Sequence, residues 1–298
     1  MAWPHRGTPA QVPRLLGTGP APPPRPRADS VGSAERPRTG PVVVLTYAHA
    51  GGAKLQDLLS EHPEVACTSG TGLLPLCEHA LGAWRRIEEW PSAATASSLA
   101  VTSIRSLVAT MMTVLAARTG RSRWCETATV SQEAAQSFLA VFPQARFVCL
   151  HRPCDAFIRA ALAARPWGLS GPAFAPYTSA HPTSTVAALA AYWVAHTRPS
   201  LDFEAAHPQQ CVRVHFDDLD ADPRAVMRAL ARFLELGAAG PALRPPETPD
   251  TAEIGSADAT GASGGDHRPL PLGQLPPSLL AQVDDLHDRL GYPPLRSE

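Results

Sequence analysis

Two short stretches combine residue types that could bind and transfer an anionic group. The first runs Thr46-Tyr47-Ala48-His49-Ala50-Gly51-Gly52-Ala53-Lys54. Small residues let the backbone approach a ligand closely. A helix starting at the end of this loop would offer unpaired amides and the positive end of its dipole to a phosphate. His49 and Lys54 add donors, and Lys54 is the only lysine among 26 basic residues. As a nucleoside-triphosphate loop the stretch is incomplete. Ala53 precedes Lys54 and Leu55 follows it, so the Gly-Lys-Ser/Thr core that grips phosphate and Mg²⁺ is missing. The pattern also fits a plain glycine turn with Lys54 in solvent. The second stretch is His151-Arg152-Pro153-Cys154-Asp155, continuing to Arg159. Arginine suits bidentate recognition of phosphate. The alternative is a solvated helix face on which Asp155 and Arg159 pair at i, i+4.

Both stretches follow predicted strands. Val42 to Leu45 is a continuous apolar run, as expected of a strand buried on both faces. Arg146 to Leu150 is a second strong strand, and Val65–Cys67, Arg123–Glu126 and Cys211–Phe216 are further candidates. Helical spacing appears over 54–60, 73–88, 98–118, 132–142, 154–164, 185–204, 222–236 and 278–290. Pro63 and Pro143 end two of these helices, because proline disfavours a helical conformation for the residue before it. Residues 166–181, rich in Pro, Gly and aromatics, read as a long loop. Its Trp167, Phe174 and Tyr177 could roof an acceptor pocket or simply pack the loop. Strands alternating with helices predict an α/β fold: a mostly parallel central sheet flanked by helices. Ligands in such folds bind where strands end and helices begin.

Composition bounds the function. The 298 residues include 44% hydrophobic and 18% charged residues, with a net charge of −1. That composition excludes a disordered chain, and the near-zero net charge argues against nucleic acid or an acidic membrane as partner. Residues 1–40, rich in Pro and Arg, read as a disordered arm, leaving 41–298 as the folded domain. Six cysteines lack metal spacing, and those in apolar runs behave as small hydrophobes. No secretory signal is evident at the N-terminus. Ser98–Ala117 is apolar but carries Arg105, and reads as a buried or amphipathic helix rather than a membrane span. These features point to a cytoplasmic protein.

Taken in order, the motifs resemble those of the sulfotransferases that use 3′-phosphoadenosine 5′-phosphosulfate (PAPS). Thr46 to Lys54 is similar to the family's 5′-phosphosulfate loop, T-Y-P-K-S-G-T-T-W, with Thr46, Tyr47 and Gly51 identical. The following Leu58-Leu59-Ser60-Glu61-His62-Pro63 resembles L-L-x-x-H-P. Phe142-Pro143-Gln144-Ala145-Arg146-Phe147, running to Arg152-Pro153-Cys154-Asp155, resembles F-P-x-A-R-F-I-x-L-x-R-x-P-x-D, one residue short between Arg and Pro. Val214-His215-Phe216-Asp217-Asp218-Leu219 with Asp222-Pro223 is similar to x-x-Y-E-D-L-x-x-D-P.

The resemblance implies a P-loop NTPase-like sulfotransferase architecture and a reaction that moves a sulfonate from PAPS, as co-substrate and without a metal, to a hydroxyl or amine of a small-molecule acceptor. It implies that Gly51, Gly52, Ala53 and Lys54 hold the 5′-phosphate, that Arg152, or Arg159 in the other register, binds the 3′-phosphate, and that Phe216 lies near adenine. His49 stands where the family has Lys or Arg beside the transferred group. Ala50, Gly52 and Ala53 replace hydroxyl residues, and Thr127 replaces a lysine. In the branch that takes its base from just after the second strand, the matching Thr68-Ser69-Gly70-Thr71 has no carboxylate. Glu126 is the first candidate for the base, followed by His79, Glu78 and His49; the alternative for Glu126 is an ordinary paired carboxylate at a strand end. The alternative is a sulfotransferase-like protein that binds a nucleotide or a partner without catalysis.

Overall fold

Val42–Leu45 forms β1, the middle strand of a five-stranded parallel sheet, and all four residues are buried. The computed structural model describes residues 40–86, 93–129, 131–164, 171–237 and 275–295. The expected N-terminal arm and Trp167 lie outside them. The other strands are β2 (Val65–Ser69), β3 (Arg123–Ala128), β4 (Arg146–His151) and β5 (Cys211–His215), and the order across the sheet is β2-β3-β1-β4-β5. The chain therefore leaves β1 toward one edge and β4 toward the other. The crevice at their carboxyl ends is the switch point where α/β sheets bind ligands.

Alternation along the strands splits the core. Val43 and Leu45 face one layer with Phe147 and Cys149, while Val42 and Val44 face the other with Val148 and Leu150. The first layer is covered by α2 (Leu73–Arg85), α3 (Ala93–Ala117) and α4 (Gln132–Val141). Against the second lie α1 (Gly52–Ser60), α8 (Phe216–Ala221) and α9 (Pro223–Phe233). A third apolar cluster joins α5 (Cys154–Ala164), α6 (Ala175–Ala180), α7 (Thr185–Ala206) and α10 (Pro277–Leu290). Helix starts follow their caps. Ser131, Ser184 and Asp222 accept hydrogen bonds from the amides of Ala134, Ala187 and Ala225. The single helix expected from 222 is preceded by a separate α8, with the chain breaking at Asp222 before Pro223, as proline requires of its neighbour.

Two further expectations change. Part of the predicted 166–181 loop is helical, as α6, and its Phe174 is buried against Tyr177 and Tyr192. Loop packing therefore accounts for Phe174. Helix α3 is long and apolar enough by composition to cross a membrane. Its Ala100, Ile104, Val108, Met112 and Ala116 belong to the core, and Leu99, Leu107, Met111 and Val114 are exposed. The six cysteines are free thiols.

Beneath the carboxyl ends of β4 and β5 lies a partly buried charge network. His151 Nε2 meets Glu204 Oε1 at 2.5 Å, and Arg213 donates to Glu204 Oε2 at 2.8 Å. The C-terminal segment closes over it. The Cys154 amide donates to His287 Nε2 at 3.1 Å, which leaves His287 Nδ1 to donate to the Pro293 carbonyl at 2.6 Å. Burial pushes the Glu204 carboxyl up, but His151 and Arg213 together outweigh it and hold the group below its ordinary value of 4.5. A carboxyl lowered in the folded state stabilises the fold above its unfolded value and loses that contribution as pH falls through the folded value. Glu204→Gln is accordingly expected to cost about 2 kcal/mol at neutral pH, the worth of hydrogen bonds to a charged group. It should also flatten the acid limb of a stability–pH curve measured by denaturant unfolding.

Candidate functional site

The loop after β1 is built by two unusual backbone conformations. The Ala50 amide donates to the Tyr47 carbonyl at 3.1 Å, closing a tight turn in which His49 takes φ 58. Residues with a side chain rarely adopt that region, and the turn aims the His49 carbonyl at the arginine after β4. Gly51 follows with φ 100 and caps α1 without a side chain. The first-turn amides of α1 are thus left to a ligand, with the dipole behind them. A Cβ on Gly51 would lie 2.2 Å from the Phe216 ring, and one on Gly52 would lie 2.9 Å from Thr46 Cγ2. Both positions are held to glycine by close packing as well as by backbone.

β4 and β5 pair His151 with His215, so Arg152 and Phe216 leave the sheet side by side. The Arg152 guanidinium lies over the Phe216 ring at 4.2 Å and donates from Nη1 to the His49 carbonyl at 2.9 Å. Its Nε is buried and has no partner among the described residues. Burial lowers its pKa, opposed by Asp217, Tyr47, Asp220 and Asp155. Arginine stays charged under such a shift, so a partly desolvated cation with a free donor faces the loop. Thr127, at the end of β3, presents a second buried orphan, its Oγ1, with its methyl toward Gly52. The unspent Arg152 donor beside a glycine cradle fits a ligand rich in anionic oxygens.

The structure brings His49, Gly51, Gly52, Ala53, Lys54, Arg152 and Phe216 together and leaves Arg159 apart. Arg159 is exposed on α5, whereas Arg152 stands beside the loop after β1. The geometry gives three of the expected site residues defined partners. Phe216, 7% exposed, packs its ring against Gly51 and lies under the Arg152 guanidinium, a platform beneath the loop. The Lys54 ammonium is bound to Asp220 Oδ1 at 2.6 Å, so Lys54 offers its amide to the cradle while its side chain ties α1 to α8. Glu126 is 2% exposed, and its two oxygens take the Thr68 hydroxyl at 2.7 Å and the Thr71 amide at 2.8 Å. It staples the loop after β2 with both oxygens committed, as a paired carboxylate at a strand end would be. Its carboxylate nevertheless occupies the very loop, 68–71, that carries none of its own. Of the other candidates, His79 is exposed on α2 with Nδ1 on the Pro75 carbonyl, and neighbouring Glu78 is half-buried.

Residues without a prior role complete the site. The Tyr47 hydroxyl lies 3.2 Å from both the amide and the carbonyl of Arg152, and Trp193 Nε1 donates to the same carbonyl at 2.9 Å. Tyr47 stands inside the recognisable loop. Trp193 is one apolar residue of a long buried helix, and no spacing distinguishes it.

The profile of the Sulfotransferase family matches residues 41–239. Among solved structures, the sulfotransferase domain from the curacin biosynthetic pathway superposes with a TM-score of 0.54 at 15% identity, covering 86% of this chain and 98% of that one. The sulfotransferase domain from the Synechococcus PCC 7002 olefin synthase superposes with a TM-score of 0.50 at 15% identity, over 86% and 97%. At that identity the likeness is one of fold. No curated protein matches the chain in sequence. The cradle itself can be tested directly. Gly51→Ala adds a Cβ into the Phe216 ring at a positive φ, and is expected to lower stability by about 2 kcal/mol. It should also shift the near-ultraviolet circular dichroism as the aromatic contact opens.

Proposed function

We propose, from the premise that this chain belongs to the sulfotransferase family, that it transfers the sulfonate of PAPS to a hydroxyl or amine of a small-molecule acceptor. The observation that carries this reading is the junction of two anion-binding elements at the β1/β4 switch point: the α1 cradle and the Arg152 guanidinium with its unspent Nε. PAPS carries a phosphosulfate on the 5′ side and a phosphate on the 3′ side, so it calls for two such elements. When bound, it supplies the sulfonate as an activated anhydride with phosphate.

This chain's residues would divide the work as follows. The amides of Gly51, Gly52, Ala53 and Lys54 hold the 5′-phosphate, with no hydroxyl side chains at 50, 52 and 53 to assist. Arg152 binds the 3′-phosphate. His49, on the turn between them, donates a hydrogen bond to the oxygen on which charge builds as the sulfonate leaves. Glu126 acts through the loop it holds, as a positioning residue for the acceptor side. Positioning and charge stabilisation of this kind suffice for a transfer that resembles phosphoryl transfer. The free thiols fit a reducing, cytoplasmic setting.

One observation favours a second reading. The single lysine of the loop is closed off by Asp220, and three loop residues lack hydroxyls. A protein that binds the nucleotide without transferring the sulfonate would tolerate both features. Label transfer from ³⁵S-PAPS to a panel of small alcohols, phenols and amines separates the two. Transfer by the wild type, cut about a hundredfold in His49→Ala with binding of 3′-phosphoadenosine 5′-phosphate (PAP) retained, is the expected result. PAP binding with no transfer to any acceptor would establish the second reading.

A further inference from the structure

The hydroxyl of Tyr47 and the indole of Trp193 meet at one peptide unit. Tyr47 leaves β1 and begins the 5′ loop, while Arg152 leaves β4 and begins the 3′ site. The Arg152 amide donates to the Tyr47 oxygen, and the Tyr47 hydroxyl lies at donating distance from the Arg152 carbonyl, both at 3.2 Å. Trp193, fully buried on α7, donates to that carbonyl from behind at 2.9 Å. The loop returns the contact through the His49 carbonyl, which accepts from Arg152 Nη1. Three hydrogen bonds therefore lock the two anion-binding elements to each other, and a fourth ties Arg152 to α7, independently of any ligand.

We propose that Tyr47 and Trp193 are positioning residues that fix the spacing between the two phosphate subsites and thereby set the preference for nucleotides carrying a 3′-phosphate. The proposal rests on the sulfotransferase reading of the site. A guanidinium whose backbone is pinned at both the amide and the carbonyl has little freedom to follow a ligand with different spacing. The surrounding packing makes the clamp rigid. Tyr47 is 4% exposed and meets Phe157 edge-on at 5.7 Å, and Trp193 meets His287 edge-on at 5.4 Å. Burial pushes the Tyr47 phenol well above its ordinary value, so it keeps the proton it donates.

The test compares two probes, PAP and adenosine 5′-monophosphate, by calorimetry on the wild type, Tyr47→Phe and Trp193→Phe. The monophosphate engages the 5′ loop but offers nothing to Arg152. Each variant is expected to lose roughly three- to tenfold in PAP affinity, the worth of one or two hydrogen bonds, with little change toward the monophosphate, so that the preference ratio falls. A purely structural role would weaken both probes in parallel, and that result, or an unchanged ratio, would overturn the proposal. Tyr47→Phe keeps the ring and its packing and carries the test if Trp193→Phe does not fold. Failure of the parent reading looks different: a wild type that binds both probes equally would overturn the assignment of Arg152 to a 3′-phosphate, and the clamp with it.

Discussion

The site is organised around one aromatic ring filling one glycine's empty side. Phe216 leaves β5 beside Arg152, because the two strands pair His151 with His215. Its ring then lies against Gly51, where no side chain could stand, and carries the Arg152 guanidinium at 4.2 Å. A cation over a desolvated ring is worth about 1–2 kcal/mol, but its larger effect here is geometric. It fixes the height of the loop after β1 relative to the turn after β4. The left-handed His49 and the glycine cap of α1 are both consequences of a loop that must pass over this ring and still aim its carbonyl at Arg152.

Electrostatics around the ring are nearly balanced. Arg152 is drawn on by Asp217, Asp220 and Asp155, and Lys54 is spent on Asp220. Burial raises the Asp217 carboxyl, with Arg152 pulling the other way. A phosphate entering here finds backbone amides, one guanidinium and few free charges. Such a site reads shape and donor direction more than net charge, in keeping with a chain whose total charge is −1. It also makes fixed geometry matter more, since directed hydrogen bonds fade faster with misplacement than a diffuse positive field does.

Much of the fold is legible in the sequence because it rests on local rules. The run Val42–Leu45 can only be a strand buried on both faces, and the alternation of strands with helices leads to the parallel sheet. The loop 46–54 and the turn at 151–152 are readable as anion sites, and the family motifs place them in order. What is not legible depends on contacts between distant residues. Glu126 reads as either a base or a paired carboxylate, and its partners, Thr68 and Thr71, lie some 55 residues away in the sequence. Phe216 is readable only as the aromatic of a family motif, and its contacts with Gly51 and Arg152 emerge from the fold. Motif spacing leaves Arg152 and Arg159 as alternatives, and the strand register shows which of them stands beside Phe216. Trp193 carries no local signal, because its importance lies in the carbonyl it meets, not in its own neighbours.

The central claim is that the cradle and Arg152 form one nucleotide site with two phosphate subsites. Titration calorimetry of PAP into the wild type and Arg152→Ala, in buffer containing a chelator of divalent cations, tests it most directly. The account predicts saturable one-to-one binding by the wild type without divalent metal, and a large loss of affinity in Arg152→Ala with the fold intact. Heats indistinguishable from dilution at millimolar PAP, or equal affinity in the two proteins, would contradict it.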